Sequence, residues 1–212
     1  MSEPPVVTVI TPTWKRHELL LSRAIPSVQA QDYPAVEHLV ISDGPDPELA
    51  ARLDPPWMNG FRKVWYAYVP EHDPEPHYGH HARAYGCKLA TGGYITYCDD
   101  DDSLRREHCR LLAEALDADP EAGFAVSRMA SHGPGGTTVI GHGPLACGNV
   151  GTPMIMHRRS VLEHGSWDHA GQFEDWDLVL SWINAGIKHA RVDAETSDVW
   201  PSLYRGQQAG DC

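Results

Sequence analysis

Three groups of carboxylates in this 212-residue chain have types and spacings that could do chemistry: Asp43, the run Asp99-Asp100-Asp101-Asp102, and the pair Glu174-Asp175. Four consecutive aspartates repel one another, so crowding them raises their pKa values or demands a cation. Donor sets made only of oxygen suit a hard divalent ion such as Mg²⁺ or Mn²⁺. The competing reading is a solvated turn in which Asp102 or Ser103 caps the helix that follows. Glu174-Asp175 opens a helical pattern with Trp176, Val179, Leu180 and Ile183 on one face. Acids there either complement the positive end of the helix dipole or supply a general base beside a metal, and spacing leaves both open. Any of Lys15, Arg16 and Arg83 could meet a phosphate; the competing reading for each is an exposed cation with no specific role. The histidines of His77-Tyr78-Gly79-His80-His81 have no second Cys/His pair at zinc spacing. A ligand-contacting loop or plain surface is expected there, and His142 is left undetermined.

These groups need elements to position them. In open α/β sheets ligands bind beyond the carboxyl ends of strands, and both Val40-Ile41-Ser42-Asp43 and Tyr97-Cys98-Asp99 read as strands running into acids. Strands are expected at 6–11, 37–42, 64–69, 94–98, 122–127, 153–157 and 190–192. Helical patterns lie between them at 18–31, 79–90, 104–116 and 176–183. Pro26 should kink or break the first helix, and residues 12–16 should be a loop. Alternating strands and helices predict one α/β domain over 1–212, a mixed, largely parallel sheet flanked by helices. The Gly- and Pro-rich stretch 132–152 reads as a flexible functional loop, and the polar segment 195–212 as a loose tail.

Composition narrows the partners. With 17 Lys+Arg against 29 Asp+Glu the net charge is −12, which disfavours nucleic acid and anionic membrane as main partners. No apolar run approaches a membrane span, and the N-terminus shows no secretory signal. The cysteines are odd in number, with no C-x-x-C spacing, so free thiols and a cytoplasmic location are expected. P-loop, G-x-G-x-x-G and G-x-S-x-G templates are all missing.

In order and spacing, the pieces resemble a family 2 glycosyltransferase of the GT-A fold, from about residue 6 to 205. Val9-Ile10-Thr11-Pro12-Thr13-Trp14-Lys15-Arg16 resembles the first strand and nucleotide loop. Gln31-Asp32-Tyr33-Pro34 with Leu39-Val40-Ile41-Ser42-Asp43-Gly44 resembles the second strand. Ala82-Arg83 to Gly86, Ala90 to Ile95 and the aspartates resemble the D-x-D segment. Met156 to Leu162 with Gly165 and Trp167-Asp168 resembles the acceptor-side turn, and Glu174-Asp175-Trp176-Asp177-Leu178 the E-D motif. The resemblance implies a Rossmann-like nucleotide-binding domain that moves a sugar, with inversion, from a nucleoside-diphosphate sugar (a UDP-sugar foremost) to an acceptor hydroxyl. The acceptor could be a polysaccharide, a lipid-linked sugar or a natural product. It implies that Thr11, Pro12, Thr13, Arg16, Asp43, Arg83, Asp99 and Asp100 meet the donor: Asp43 the base, Asp99 the ribose, Arg83 the diphosphate or sugar. It implies Asp101 as ligand to Mg²⁺ or Mn²⁺, Asp175 as base, and Glu174 beside it. Two departures stand out. Arg83-Ala84-Tyr85-Gly86 lacks the usual Asn, and Tyr204-Arg205-Gly206-Gln207 lacks the usual His, leaving Gln207 or water as a further metal ligand. The alternative is a non-catalytic nucleotide-binding scaffold on the same fold. A sugar-nucleotide pyrophosphorylase is disfavoured, because residues 12–15 are not its Gly-rich basic loop.

Overall fold

A computed structural model describes residues 3–53, 63–72, 79–169 and 174–200. The strands are β1 (Val7–Thr13), β2 (Val36–Ser42), β3 (Val64–Tyr68), β4 (Tyr94–Tyr97), β5 (Ser103–Leu104), β6 (Ala122–Gly133), β7 (Gly136–Ile140), β8 (Ile155–Arg158) and β9 (Lys188–Val199). They form one mixed sheet in the order β3-β2-β1-β4-β8-β6-β9-β5, with β7 paired to β6 as a hairpin. The first four in space are parallel. β8 is antiparallel to both β4 and β6, and β9 runs parallel to β6.

Both faces of this sheet are covered, so β1 is buried along its whole length, Thr8, Thr11 and Thr13 included, and β2 from His38 to Ser42. Ile10, Leu39, Ile41, Ile95 and Tyr97 face a core built with the helices His80–Leu89 and Glu174–Asn184. Val7, Val9, Val40 and Tyr94 face a second core with Leu20, Ile25, Leu112 and Leu116. The last two come from the helix His108–Ala118. Gly86 lets the helix His80–Leu89 settle on β1, since a Cβ there would stand 2.7 Å from the Ile10 side chain. None of the helices among the described residues is long and apolar enough to cross a membrane. Cys87, Cys98 and Cys109 are free and buried.

Four expectations change. Pro26 does not break the first helix. Residues 17–29 stay helical because Leu20–Ala24 widens to a π-turn just before the proline, a register in which its missing N–H and ring are accommodated. β1 continues through Pro12 and Thr13, opposite Ile41 and Ser42, so the loop starts at Trp14. The stretch 132–152 holds the end of β6, all of β7 and a turn fastened by Asn149. That side chain accepts from Gly141 N and donates to the carbonyls of His142 and Pro144. The supposed tail also begins inside β9, where Thr196 and Ser197 are fully buried.

Thr196 is polar and buried because a hydrogen-bonded chain receives it. Thr96 Oγ1 donates to Ile155 O at 2.8 Å, so it accepts from His108 Nε2 at 3.0 Å. His108 Nδ1 then accepts from Thr196 Oγ1 at 2.8 Å, and Ser127 Oγ lies 2.7 Å from the same hydroxyl. This chain holds imidazole neutral, and burial pushes the His108 pKa down to about 3. Its folded pKa lies below its unfolded one, so its contribution is present above about pH 6.5 and is lost as pH falls toward 3. His108→Gln should therefore cost stability at pH 7.5 and regain about 1.4 kcal/mol relative to wild type per pH unit below 6.5. Urea melts of both proteins from pH 7.5 to 5 measure this; a pH-independent difference would contradict it.

Candidate active site

The sheet brings the carboxyl ends of β1, β2 and β4 side by side, and the acids follow from there. Asp43 comes directly after β2, with its backbone N–H donating to Thr13 O at 2.9 Å. His72, beyond β3, approaches both the Asp43 carbonyl (3.1 Å) and Asp43 Oδ2 (2.9 Å) with Nδ1. Both partners are acceptors, so Nδ1 carries the proton. The imidazole lies flat on Trp14, ring centres 4.1 Å apart and 13° from parallel. Gly44 makes this corner possible. Its φ is +106°, and a Cβ would stand 3.0 Å from His72 Cβ and 3.2 Å from the Trp14 ring.

The aspartate run after β4 splits among different partners. Asp99 accepts from Arg83 Nη2 at 2.6 Å. Asp100 is fully buried; it accepts from Thr13 Oγ1 at 2.7 Å and pairs with Arg16 Nη2 at 2.5 Å. Burial pushes its pKa up to about 7, with Arg16 pulling the other way. Asp101 is the most open of these, with 14% of its side chain exposed, and Arg16 Nη1 reaches it at 2.7 Å. Arg23 donates to the Asp101 carbonyl. Asp102 turns inward and accepts from Trp200 N at 3.2 Å.

Arg83 joins the two halves of the site. Its guanidinium is 3% exposed and also donates through Nη1 to Glu174 Oε2 at 3.1 Å. Burial works to lower its pKa, yet Asp99 and Glu174 outweigh burial and hold it raised. Glu174 is buried, with His80 Nδ1 at 3.4 Å. Burial pushes its pKa up to about 7 against the pull of Arg83. Asp175, half-buried, accepts from Thr152 N–H at 3.0 Å through Oδ2. A contact between residues 23 positions apart thus ties the helix Glu174–Asn184 to the turn leading into β8.

Of the donor residues expected from sequence, Thr13, Arg16, Arg83, Asp99 and Asp100 are interlocked by these bonds, with Asp101 attached through Arg16. Asp43 stands at the neighbouring strand end. Thr11 is not part of this set, because its hydroxyl is fully buried against His38 Nε2 at 2.9 Å. Pro12 lies in β1 beneath Gly79, where a Cβ would come within 3.1 Å of its own Cβ. Trp167 is fully buried, with its ring 4.9 Å from the Arg83 guanidinium, and so offers no face for a sugar to stack on. Trp176 packs against the core, and Trp200 is covered by Arg23 and His132. Trp57, His77, Tyr78 and residues 204–207 lie outside the described residues. Sequence reading missed His72 and Thr152. The one local signal for His72 was its place a few residues beyond β3, which did not by itself single it out, and nothing local marked Thr152.

Among the described residues no three His, Cys, Asp or Glu side chains converge into a closed metal cage. An accessible carboxylate beside further acids suits the other kind of oxygen site, in which one or two carboxylates hold Mg²⁺ or Mn²⁺ and ligand phosphates and water complete the shell.

A parallel β3-β2-β1-β4 half-sheet with acids beyond its strand ends, continued by mixed strands and a second acid pair, is the architecture of the GT-A glycosyltransferases. The model for glycosyl transferase family 2 matches residues 8–164, and the chain belongs to that family. Among solved structures, residues 1–349 of TarS from S. aureus superpose with a TM-score of 0.70 at 17% identity, over 92% of this chain and 60% of that one. The same TarS fragment in complex with UDP-GlcNAc gives 0.70 at 17%, over 92% and 58%. A mannosyltransferase from Pyrobaculum calidifontis, in complex with GDP-Man and Mn²⁺, gives 0.67 at 18%, over 93% and 57%. This chain therefore spans about 60% of the TarS fragment's length, and at these identities the likeness is one of fold. No curated protein matches the sequence.

Proposed function

We propose that this chain transfers a sugar, with inversion, from a nucleoside-diphosphate sugar, a UDP-sugar in the first instance, to an acceptor hydroxyl. The carrying observation is Arg83, one buried guanidinium that holds an acid of the donor run, Asp99, and an acid of the second pair, Glu174, at 2.6 and 3.1 Å. It couples the expected donor and acceptor sides of one cleft. A non-catalytic scaffold has no need of a buried arginine between two acids, since hydrophobic residues of like volume would serve stability as well.

Each residue has a part. Asp43 takes the base, Asp99 the ribose, and Arg16 and Arg83 oppose the negative charge of the diphosphate. Asp101 holds Mg²⁺ or Mn²⁺, which when bound stabilises the departing diphosphate as a Lewis acid. Asp175, half-exposed and oriented by Thr152 N–H, takes the proton of the attacking hydroxyl. Attack opposite the leaving group inverts the anomeric carbon.

Donor binding should depend on metal. UDP at about a hundred times its Kd, with Mn²⁺, should add about 2.7 kcal/mol to stability, several degrees in Tm for a domain of this size. A thermal-shift series with and without excess chelator checks this. An equal shift in both sets the metal assignment aside, and release of no nucleoside diphosphate with any acceptor favours the scaffold.

A further inference from the structure

We propose that His72 sets the choice of base, favouring uracil over guanine, by occupying one side of the Asp43 carboxylate. This rests on the reading that Asp43 meets the base. The geometry leaves that carboxylate asymmetric. Oδ2 accepts from His72 Nδ1 at 2.9 Å, and the imidazole is held there by its stack on Trp14 at 4.1 Å and its bond to the Asp43 carbonyl. Oδ1 is buried with no hydrogen-bond partner. A buried acceptor left unpaired is costly, so a donor that reaches Oδ1 by shifting what covers it gains most there, while at Oδ2 the imidazole fills the approach that a second, parallel donor would need.

The edges of the bases differ in the matching respect. Uracil offers a single imide N–H between two carbonyl oxygens, and a lone acceptor satisfies it. Guanine offers two parallel donors, N1–H and the exocyclic amine, which need both oxygens of a carboxylate side by side. With imidazole standing at Oδ2, the second guanine donor is left facing a ring that itself donates. Adenine and cytosine present a ring nitrogen acceptor at the central position and meet Oδ1 by repulsion. His72 also stands firm because Gly44 permits it: any side chain at 44 would push on His72 and Trp14 together.

The test is the ratio of UDP to GDP affinity, measured by calorimetry with Mn²⁺ for wild type, His72→Ala and His72→Gln. Wild type should prefer UDP. His72→Ala should narrow that preference about tenfold, the worth of one bidentate base contact, chiefly through tighter GDP. Glutamine, which can donate to Oδ2 through its amide, should restore much of the ratio. A preference for GDP in wild type overturns the inference. So does a change of UDP and GDP affinity by the same factor in His72→Ala, with the functional reading left standing. Failure of wild type to bind either nucleotide overturns that reading and this inference together. Asp43→Ala separates the premise, since unchanged affinity for both nucleotides means the base lies elsewhere.

Discussion

Asp175→Asn should reduce sugar transfer by about 10²–10⁴-fold, the usual worth of a positioned general base, while leaving donor affinity near that of wild type. The substitution is informative because it spares the structure. Thr152 N–H is bonded to Asp175 Oδ2 at 3.0 Å, and the asparagine oxygen can accept the same bond, so the turn before β8 keeps its tie to the helix. What is lost is the capacity to take a proton. The fall should appear in kcat, with the donor KM little altered, because Asp175 makes none of the bonds that join Arg16, Arg83 and the aspartate run. A variant retaining more than about a tenth of wild-type turnover would be inconsistent with a general-base contribution of this size and would move that role elsewhere. Glu174 is a poor substitute for it. It is buried between His80 and Arg83, and a carboxylate engaged in that way has little freedom to meet an incoming hydroxyl.

How much of this could be read beforehand differs from element to element. β1, β2 and β4 announced themselves as short runs rich in β-branched and aromatic residues, and the acids beyond β2 and β4 then fell where open α/β sheets place ligands. β9 did not. After Ala194 it turns polar through Glu195-Thr196-Ser197-Asp198, and Thr196 can be buried in it because His108 and Ser127, far off in sequence, receive its hydroxyl. Hydropathy cannot see a partner supplied by another element. Asn149 is a similar case, since its side chain turns a Gly-rich stretch into a fastened turn. His72 was also hidden, because its identity as a site residue depends on Trp14 lying opposite and on the freedom of Gly44 at φ +106°. The aspartate run was ambiguous between capping and binding, and the structure divides it: Asp99, Asp100 and Asp101 meet arginines, and Asp102 turns inward to Trp200 N–H.

Arg83→Met should lower stability by about 3–5 kcal/mol, the usual cost of removing one partner of a buried ion pair, and so lower Tm by about 6–20 °C for a domain of this size. Transfer should be lost with it. Methionine refills most of the volume beside Trp167, so the cost is chiefly electrostatic: Asp99 and Glu174 stay behind, both more than nine-tenths buried, with no guanidinium between them. Glu174 already sits near pKa 7 with Arg83 in place, because burial outweighs the ion pair. Without Arg83 it moves higher still and takes up a proton. Its folded pKa then lies far above its unfolded value, so the variant gains stability as pH falls through that range. The deficit against wild type should therefore be smaller at pH 5.5 than at pH 8. Arg83→Lys should not rescue activity, because one ammonium cannot reproduce a fork whose two nitrogens serve carboxylates of different elements. Adding Glu174→Gln to Arg83→Met should recover part of the lost stability, as neighbours that share a charge couple non-additively. Thermal melts at the two pH values, on the singles and the double, decide it. An Arg83→Met protein melting within about two degrees of wild type would show that this buried arginine is not what holds the two acid clusters in one site.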